Sequence, residues 1–402
     1  MIRIVFASDS HLNKHYARMT PDQLKSRRKH LREAWAETVD HALDQRANIY
    51  IHGGDLFDGP NPRASELIWT AGQFQRLSDA GIQSLLIGGN HDIPKSRSAG
   101  ATPQRLFQAV RLAHVFTRPT AVEWWTADID GTRIAIGGLP PDPRLPRDSD
   151  PFEELVEPIE PPEADVVLLV THYAIEGTLP PQAEEATISK ASIAALGGKV
   201  DRVLVGHVHG ANDHEIGGVN VHYPGPTERL SFGELDLRCG FLEIEIEGKR
   251  PCRTDVRRRY IDPQPMRRES LRATDVPIED PDDWLIQRLR AFSASDQILQ
   301  LRLEGPLPRE VYQKIRFRDL WQLGQELNFY FDLDRHLLSI QADAEPDLDH
   351  VPGGVTISPR AEIGRVADGL AREAEDDEER ALLEEARQLV LEQYGSHSVE
   401  EG

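Results

Sequence analysis

The sequence predicts a layered α/β domain followed by a smaller α+β unit, and three observations carry that reading. Through the first 250 residues, short apolar runs of strand length alternate with helical patterns, the signature of sheets covered by helices. Beyond Gly233 the runs change to strict apolar and charged alternation, the period of a strand. Finally, 402 residues exceed what one core organises, since single cores stop growing at about 250 to 300 residues.

Taken in order, Ile2 to Ala7 is the first strand. Around residues 21 to 46, Leu31, Trp35, Val39, Ala42 and Leu43 recur at helical spacing, with Arg and Asp on the other face. A strand from Ala47 to His52, a helix around 63 to 80 and a strand from Ile82 to Ile87 come next. Further strands are predicted at 133 to 137, 165 to 171 and 202 to 205. Residues 140 to 165, PPDPRLPRDSDPFEELVEPIEPPEAD, are rich in proline and acids and read as an exposed loop with at most one short helix. GFLEIEIEG has the pattern of a half-exposed strand, with TDVRRRYID as its partner.

Residues 263 to 280 read as a linker, on three prolines and many charges. A helix near 282 to 293, the strand QILQLRLEG, a helix from about 308 to 326 and the strand FYFDLD make the small α+β unit. The last 60 residues suggest two acidic amphipathic helices, one with Ile363, Val366 and Leu370, the other with Leu382, Leu383, Ala386, Leu389 and Val390. The division expected is 1–262, 263–345 and 346–402.

A formal net charge of −21 argues at first against a polyanionic substrate. Its location changes the conclusion: residues 341 to 402 carry a net −12 and residues 141 to 165 a net −7, leaving the rest close to neutral. A phosphodiester substrate is therefore compatible with the remainder of the chain. No apolar stretch approaches the roughly 18 residues that span a bilayer, and no secretory pattern opens the sequence. Cys239 and Cys252 form no metal-binding spacing and read as small buried hydrophobes or residues on neighbouring strands. Together these imply a soluble cytoplasmic protein with no membrane attachment.

The chemistry lies where the apolar runs end. Successive runs are followed by Asp9-Ser10-His11, by Gly53-Gly54-Asp55, by Gly88-Gly89-Asn90-His91-Asp92, by His172, and by Gly206-His207-Val208-His209. In open α/β sheets, ligands bind outside the carboxyl ends of strands, so these loops should converge. Glycine suits backbones that turn sharply against a ligand. Two carboxylates, an amide oxygen and four or five imidazoles, without a thiolate, suit Mn²⁺, Fe²⁺ or Zn²⁺ in a catalytic rather than a structural site. If one carboxylate bridges, there are donors for two ions; at roughly 3.5 to 4 Å such a pair holds a phosphoryl group and activates water.

The ordered set D-x-H, G-D, G-N-H-D, H and G-H-x-H resembles the calcineurin-like metallophosphoesterase superfamily over about residues 1 to 230. The resemblance implies a four-layer sandwich of two mixed β-sheets between helices, with a two-metal site at one edge. By motif position, Asp9, His11 and His209 would hold one metal, Asn90, His172 and His207 the other, and Asp55 would bridge. His91 would face the substrate, protonating the leaving oxygen. Asp58 would pair with it, fixing the tautomer and raising the imidazole pKa. Asp92 reads as a turn residue or as a group supporting the ligands from behind.

YPGPTERLSFGE, residues 223 to 234, is similar to a signature of the SbcD-type DNA repair exonucleases, with Asn13 and Pro226 standing where that group has Gly and Ser. That likeness implies a Mn²⁺-dependent DNA exonuclease and endonuclease, working as a homodimer with an SbcC-like coiled-coil ATPase. It also implies that the α+β unit caps the DNA, that the acidic C-terminal helices dock the ATPase, and that the helices around 63 to 80 and 101 to 112 dimerise. Ile68, Trp69, Phe74 and Phe107 would give apolar surface there or belong to the core. Arg229, inside the signature, is the basic candidate for contacting substrate. Arg257 to Arg259, Arg267, Arg268, Lys95, Arg97, Arg105 and Arg111 could also touch phosphate or be solvated. A phosphatase or phosphodiesterase acting on small substrates is the rival enzyme, and a DNA-end scaffold with a vestigial site the rival of another class. The filled ligand set disfavours the scaffold.

Overall fold

The computed structural model describes residues 1–95, 100–178, 185–248 and 253–341, with isolated positions between 366 and 390. The expected C-terminal helices, Arg97 and Cys252 lie outside the described residues. The chain divides into two units, Met1–Gln341 and Ala342–Gly402, and the first of them holds every element named below.

The elements run β1 (Ile2–Ala7), α1 (Pro21–Asp44), β2 (Ile49–His52), α2 (Ala64–Asp79), β3 (Gln83–Ile87), α3 (Arg105–Ala109), β4 (His114–Phe116), β5 (Glu123–Ile129), β6 (Thr132–Leu139) and β7 (Val166–Thr171). Then come β8 (Ala174–Ile175), β9 (Thr187–Ile188), α4 (Lys190–Ala194), β10 (Arg202–Val205), β11 (Asn212–Ile216), β12 (Val219–Tyr223), β13 (Gly240–Glu247) and β14 (Arg253–Tyr260). The smaller α+β part holds β15 (Met266–Arg272), α5 (Pro281–Phe292), β16 (Ile298–Pro308), α6 (Arg309–Lys314), α7 (Phe317–Leu327), β17 (Tyr330–Asp334) and β18 (Leu338–Gln341).

Two six-stranded mixed sheets face each other, in the orders β14-β13-β1-β2-β3-β4 and β11-β12-β10-β7-β6-β5. The period of two in β1 shows why they stack. Val5 and Ala7 join the helix-side core with Trp35, Phe74 and Phe107, whereas Ile2, Ile4 and Phe6 join the core between the sheets with Ile136, Leu168 and Leu204. Central strands such as β2 and β7 are buried on both faces, so they read as continuous apolar runs. A third core, on the far face of the second sheet, is closed by α4 and by Leu145, Phe152, Leu155 and Ile159. The segment expected as an exposed loop therefore contains no helix and covers this core with four apolar side chains.

Three further expectations are corrected. Residues 266 to 272 of the expected linker form β15, parallel to β16; main-chain pairing makes this strand, and no apolar run announces it. The expected helix at 308 to 326 breaks at Ile315-Arg316 into α6 and α7. β13 is mostly buried rather than half-exposed, because Arg259 and His41 cover Glu243 and Arg3 covers Glu245. In the same way Phe74 and Phe107 are core residues, and Trp69 packs on Trp35, leaving Ile68 (74% exposed) as the surface residue of the four. Parallel crossovers through α5 and through α6 and α7 build a four-stranded parallel sheet with its own core around Leu285, Leu301 and Phe331. The buried Arg27 of α1 joins this part to the larger sheets, donating to Gln264 at 2.9 Å and pairing with Glu228 at 3.3 Å.

Candidate metal centre

The strand ends converge as the sequence implies. β1, β2, β3, β7 and β10 all deliver their following loops to one edge of the paired sheets. Glycines permit this closeness: a Cβ on Gly89 would meet Asp55 Oδ1 at 2.1 Å, and one on Gly54 would meet His172 Nδ1 at 2.3 Å. Four of the expected ligands, Asp9, His11, Asp55 and His207, hold left-handed backbone angles (φ 54°, 44°, 50° and 83°). Non-glycine residues there cost of order 1 to 3 kcal/mol each, a concentration typical of functional turns. Asn13 also has φ 66°, which explains why asparagine serves where the related motif has glycine, since its short amide tolerates that region.

Two donor groups form around one carboxylate. His11 Nε2 lies 3.3 Å from His209 Nε2, and His209 Nε2 lies 3.8 Å from Asp9 Oδ1. Asn90 Oδ1 lies 3.1 Å from His172 Nε2 and 2.9 Å from His207 Nδ1. Between the groups stands Asp55 Oδ2, 3.6 Å from His11 Nε2 and 3.3 Å from His172 Nε2. Its other oxygen accepts from the His91 main-chain N–H at 2.9 Å, which fixes the carboxylate plane. These seven side chains could hold two divalent cations with Asp55 shared.

The outward nitrogens of the four imidazoles support the same fit. His11 Nδ1 meets Asp58 at 3.2 Å, His172 Nδ1 meets the Gly53 carbonyl at 2.7 Å, His207 Nε2 meets Glu185 at 2.8 Å, and His209 Nδ1 meets Glu234 at 2.8 Å. A ring that donates from one nitrogen presents a lone pair from the other, the arrangement expected of metal-ligating histidines. Electrostatics agree. Burial works against the Asp55 charge, yet His172, His11 and His91 hold its carboxyl below the usual range. Burial also opposes a charged His172, but Asp55 and Asp9 push it up to about 9. The pocket is thus negative enough to retain protons that a cation would displace.

Two expected residues are differently engaged. Asp58 Oδ1 bonds His11 and, at 2.7 Å, Lys14 Nζ, while His91 Nδ1 stands 4.0 Å away. The ammonium and the second imidazole compete for the oxygen expected to serve His91. Burial accordingly holds His91 below its ordinary value despite Asp55 and Asp58, opposite to the expected rise. Arg229 donates from Nη2 and Nε to the Leu237 carbonyl at 3.1 and 3.2 Å and so fixes the signature loop. Arg257, Arg258, Arg259, Arg267 and Arg268 are likewise engaged, with Asp255, Asp213, Glu243, Glu269 and Gln300. Asp92, as expected, makes the turn, accepting from the N–H of Gly89 at 2.7 Å and of Phe57 at 3.3 Å.

Sequence reading missed Glu185 and Glu234 as partners of the imidazoles, and His52, which lies beneath the site. His52 is pushed down to about 3 by burial and meets Ser10 Oγ at 3.0 Å. Glu234 closes the YPGPTERLSFGE stretch and was thus findable; Glu185 sits in no motif. Glu234→Gln should weaken metal binding at the Asp9, His11 and His209 group by about 10- to 100-fold. Competition against a fluorescent chelator reads this, and unchanged affinity would refute the assignment.

A family model, calcineurin-like phosphoesterase, matches residues 2–211. The chain is 30% identical to the DNA double-strand break repair protein Mre11 of Haloferax volcanii over 305 residues, covering 76% of this chain and 62% of that one. A protein of the same name from Sulfolobus acidocaldarius is 23% identical over 354 residues, 85% of each chain. That of Methanosarcina mazei is 25% identical over 398 residues, 98% of this chain and 55% of that one. The match thus spans less than two thirds of the Haloferax and Methanosarcina proteins. No helix among the described residues is long and apolar enough to cross a membrane.

Proposed function

Because the chain belongs to the calcineurin-like phosphoesterase family, we propose that it is a dinuclear-metal-dependent nuclease that hydrolyses DNA phosphodiester bonds in break repair. The observation that carries this reading is the shared position of Asp55 between the two donor groups, with His91 beside them and 45% exposed. DNA as the substrate is supported by the names of the relatives, DNA double-strand break repair proteins.

Two divalent ions held there, Mn²⁺ in this reading, would supply polarisation of the scissile phosphate and a more acidic attacking water. The protein's own part is orientation and proton delivery. Asp9, His11 and His209 would hold one ion, Asn90, His172 and His207 the other, and Asp55 would be shared between them. His91 is the imbalance in the site: its main chain is pinned to Asp55, its ring stands edge-on to His11 at 4.7 Å, and its imidazole opens to a cleft. A proton on that ring passes to the oxygen that leaves, and Asp58 orients the ring once Lys14 moves to a phosphate.

The division into a nuclease part (1–262), a cap (263–345) that positions DNA, and a C-terminal part (346–402) that docks an SbcC-like ATPase belongs to the same proposal. A cytoplasmic homodimer fits the exposed Ile68, Leu106 and Val110 on and beside α2 and α3. The deciding experiment compares Mn²⁺-loaded protein on single-stranded DNA, duplex ends and bis(p-nitrophenyl) phosphate. Cleavage of DNA supports the nuclease. Cleavage of the small diester alone makes it a small-substrate phosphodiesterase, and turnover of neither makes it a scaffold.

A further inference from the structure

The cleft at His91 does not end at the metal centre. It runs on as two chambers of about 490 and 510 Å³. Each lies within the roughly 300 to 1,000 Å³ that takes one organic group of drug size, which is also the scale of one nucleotide. Asn90, His91, Ile93, Lys95, Pro141 and Pro143 line the first; the second shares the last four and continues to Arg105 and Thr117. The far wall is therefore the start of the proline-rich segment 140 to 165, held in place by the Tyr173 hydroxyl, which accepts from the Asp142 N–H at 2.6 Å.

The charge pattern along this cleft is selective. Arg144 is neutralised by Asp142 through contacts of 2.6 and 2.8 Å. Lys95 and Arg105 are exposed, and among the described residues their side chains make neither an ion pair nor a hydrogen bond. Apolar faces from Ile93, Pro141 and Pro143 thus share the cleft with uncommitted cations, a lining that offers contacts to both the nucleosides and the phosphates of a single strand. We infer that the two chambers hold the leaving-group side of a polynucleotide, with Lys95 and Arg105 taking the next phosphates beyond the scissile one. The inference rests on the nuclease reading, because His91 gives its proton to the leaving oxygen and what lies past His91 is then the leaving strand. It deepens that reading by assigning a preference for oligonucleotides over single-phosphate diesters to two named cations.

The test uses the full chain with Lys95→Glu and Arg105→Glu, singly and together, and Lys95→Arg as the conservative change. Two readouts are taken: kcat/KM on a single-stranded hexanucleotide relative to bis(p-nitrophenyl) phosphate, and the salt dependence of binding of a labelled hexanucleotide with Ca²⁺ in place of Mn²⁺. Each charge reversal should lower the oligonucleotide-to-diester ratio by about tenfold or more and shrink the slope of log K against log salt by about 0.7 per lost phosphate contact. Lys95→Arg should restore both. Parallel losses on both substrates, or unchanged ratios and slopes, would overturn the track. Should the unaltered protein cleave neither substrate, the nuclease reading fails, and the binding slope alone decides: a shrunken slope upholds the polynucleotide track and an unchanged one removes it.

Discussion

Asp55→Asn is expected to lose both metal ions and about 10³-fold or more of phosphodiester hydrolysis, equivalent to about 4 kcal/mol of transition-state stabilisation. The substitution is nearly isosteric, so the fold should survive. What it removes is the negative charge of a carboxylate whose Oδ2 stands 3.6 Å from one donor group and 3.3 Å from the other. Replacing any other ligand leaves three donors around one ion and four around its neighbour; replacing Asp55 impoverishes both. Elemental analysis after dialysis, alongside hydrolysis of bis(p-nitrophenyl) phosphate, reads the two losses together. Retention of two ions per chain would show that Asp55 does not bridge.

His91→Ala should separate chemistry from metal content. Its side chain belongs to neither donor group, and the main-chain N–H that holds Asp55 survives the change. Two ions should therefore remain, while DNA cleavage falls by about 10²- to 10⁴-fold, the usual contribution of a positioned proton donor. The leaving group distinguishes this role from a merely structural one. p-Nitrophenolate departs without a proton, so the variant should lose far less on bis(p-nitrophenyl) phosphate than on DNA, whose sugar oxygen needs one. Equal losses on both substrates would remove the acid role.

Much of the fold and of the donor set was legible in the chain because strand ends and metal-capable residues coincide. β1, β2, β3, β7 and β10 are apolar runs buried on both faces, so their termini could be read to within one or two residues. What the sequence hid was pairing. β15 is charged and half-covered, and only its register against β16 makes it a strand. The carboxylates behind the imidazoles, Glu185 and Glu234, lie 22 and 25 residues from their partners, and only Glu234 falls within a motif. Motif position could bring Asp58 towards His91 but could not allot it between His91, His11 and Lys14, a contest settled by charge and distance in three dimensions. Arg259 looked available because its acidic partner, Glu243, lies on the neighbouring strand β13, whereas Arg257 and Arg267 pair with acids two residues along their own strands.

The left-handed turns at Asp9, His11, Asp55 and His207 set this chain's stability against its usefulness. Glycine at any of these four positions would relax the backbone while deleting a donor, and at Asp9 and Asp55 it would also leave the main-chain N–H groups of His207 and His91 without their acceptors. At these four turns the residue is therefore decided by what its side chain reaches, not by the comfort of its backbone.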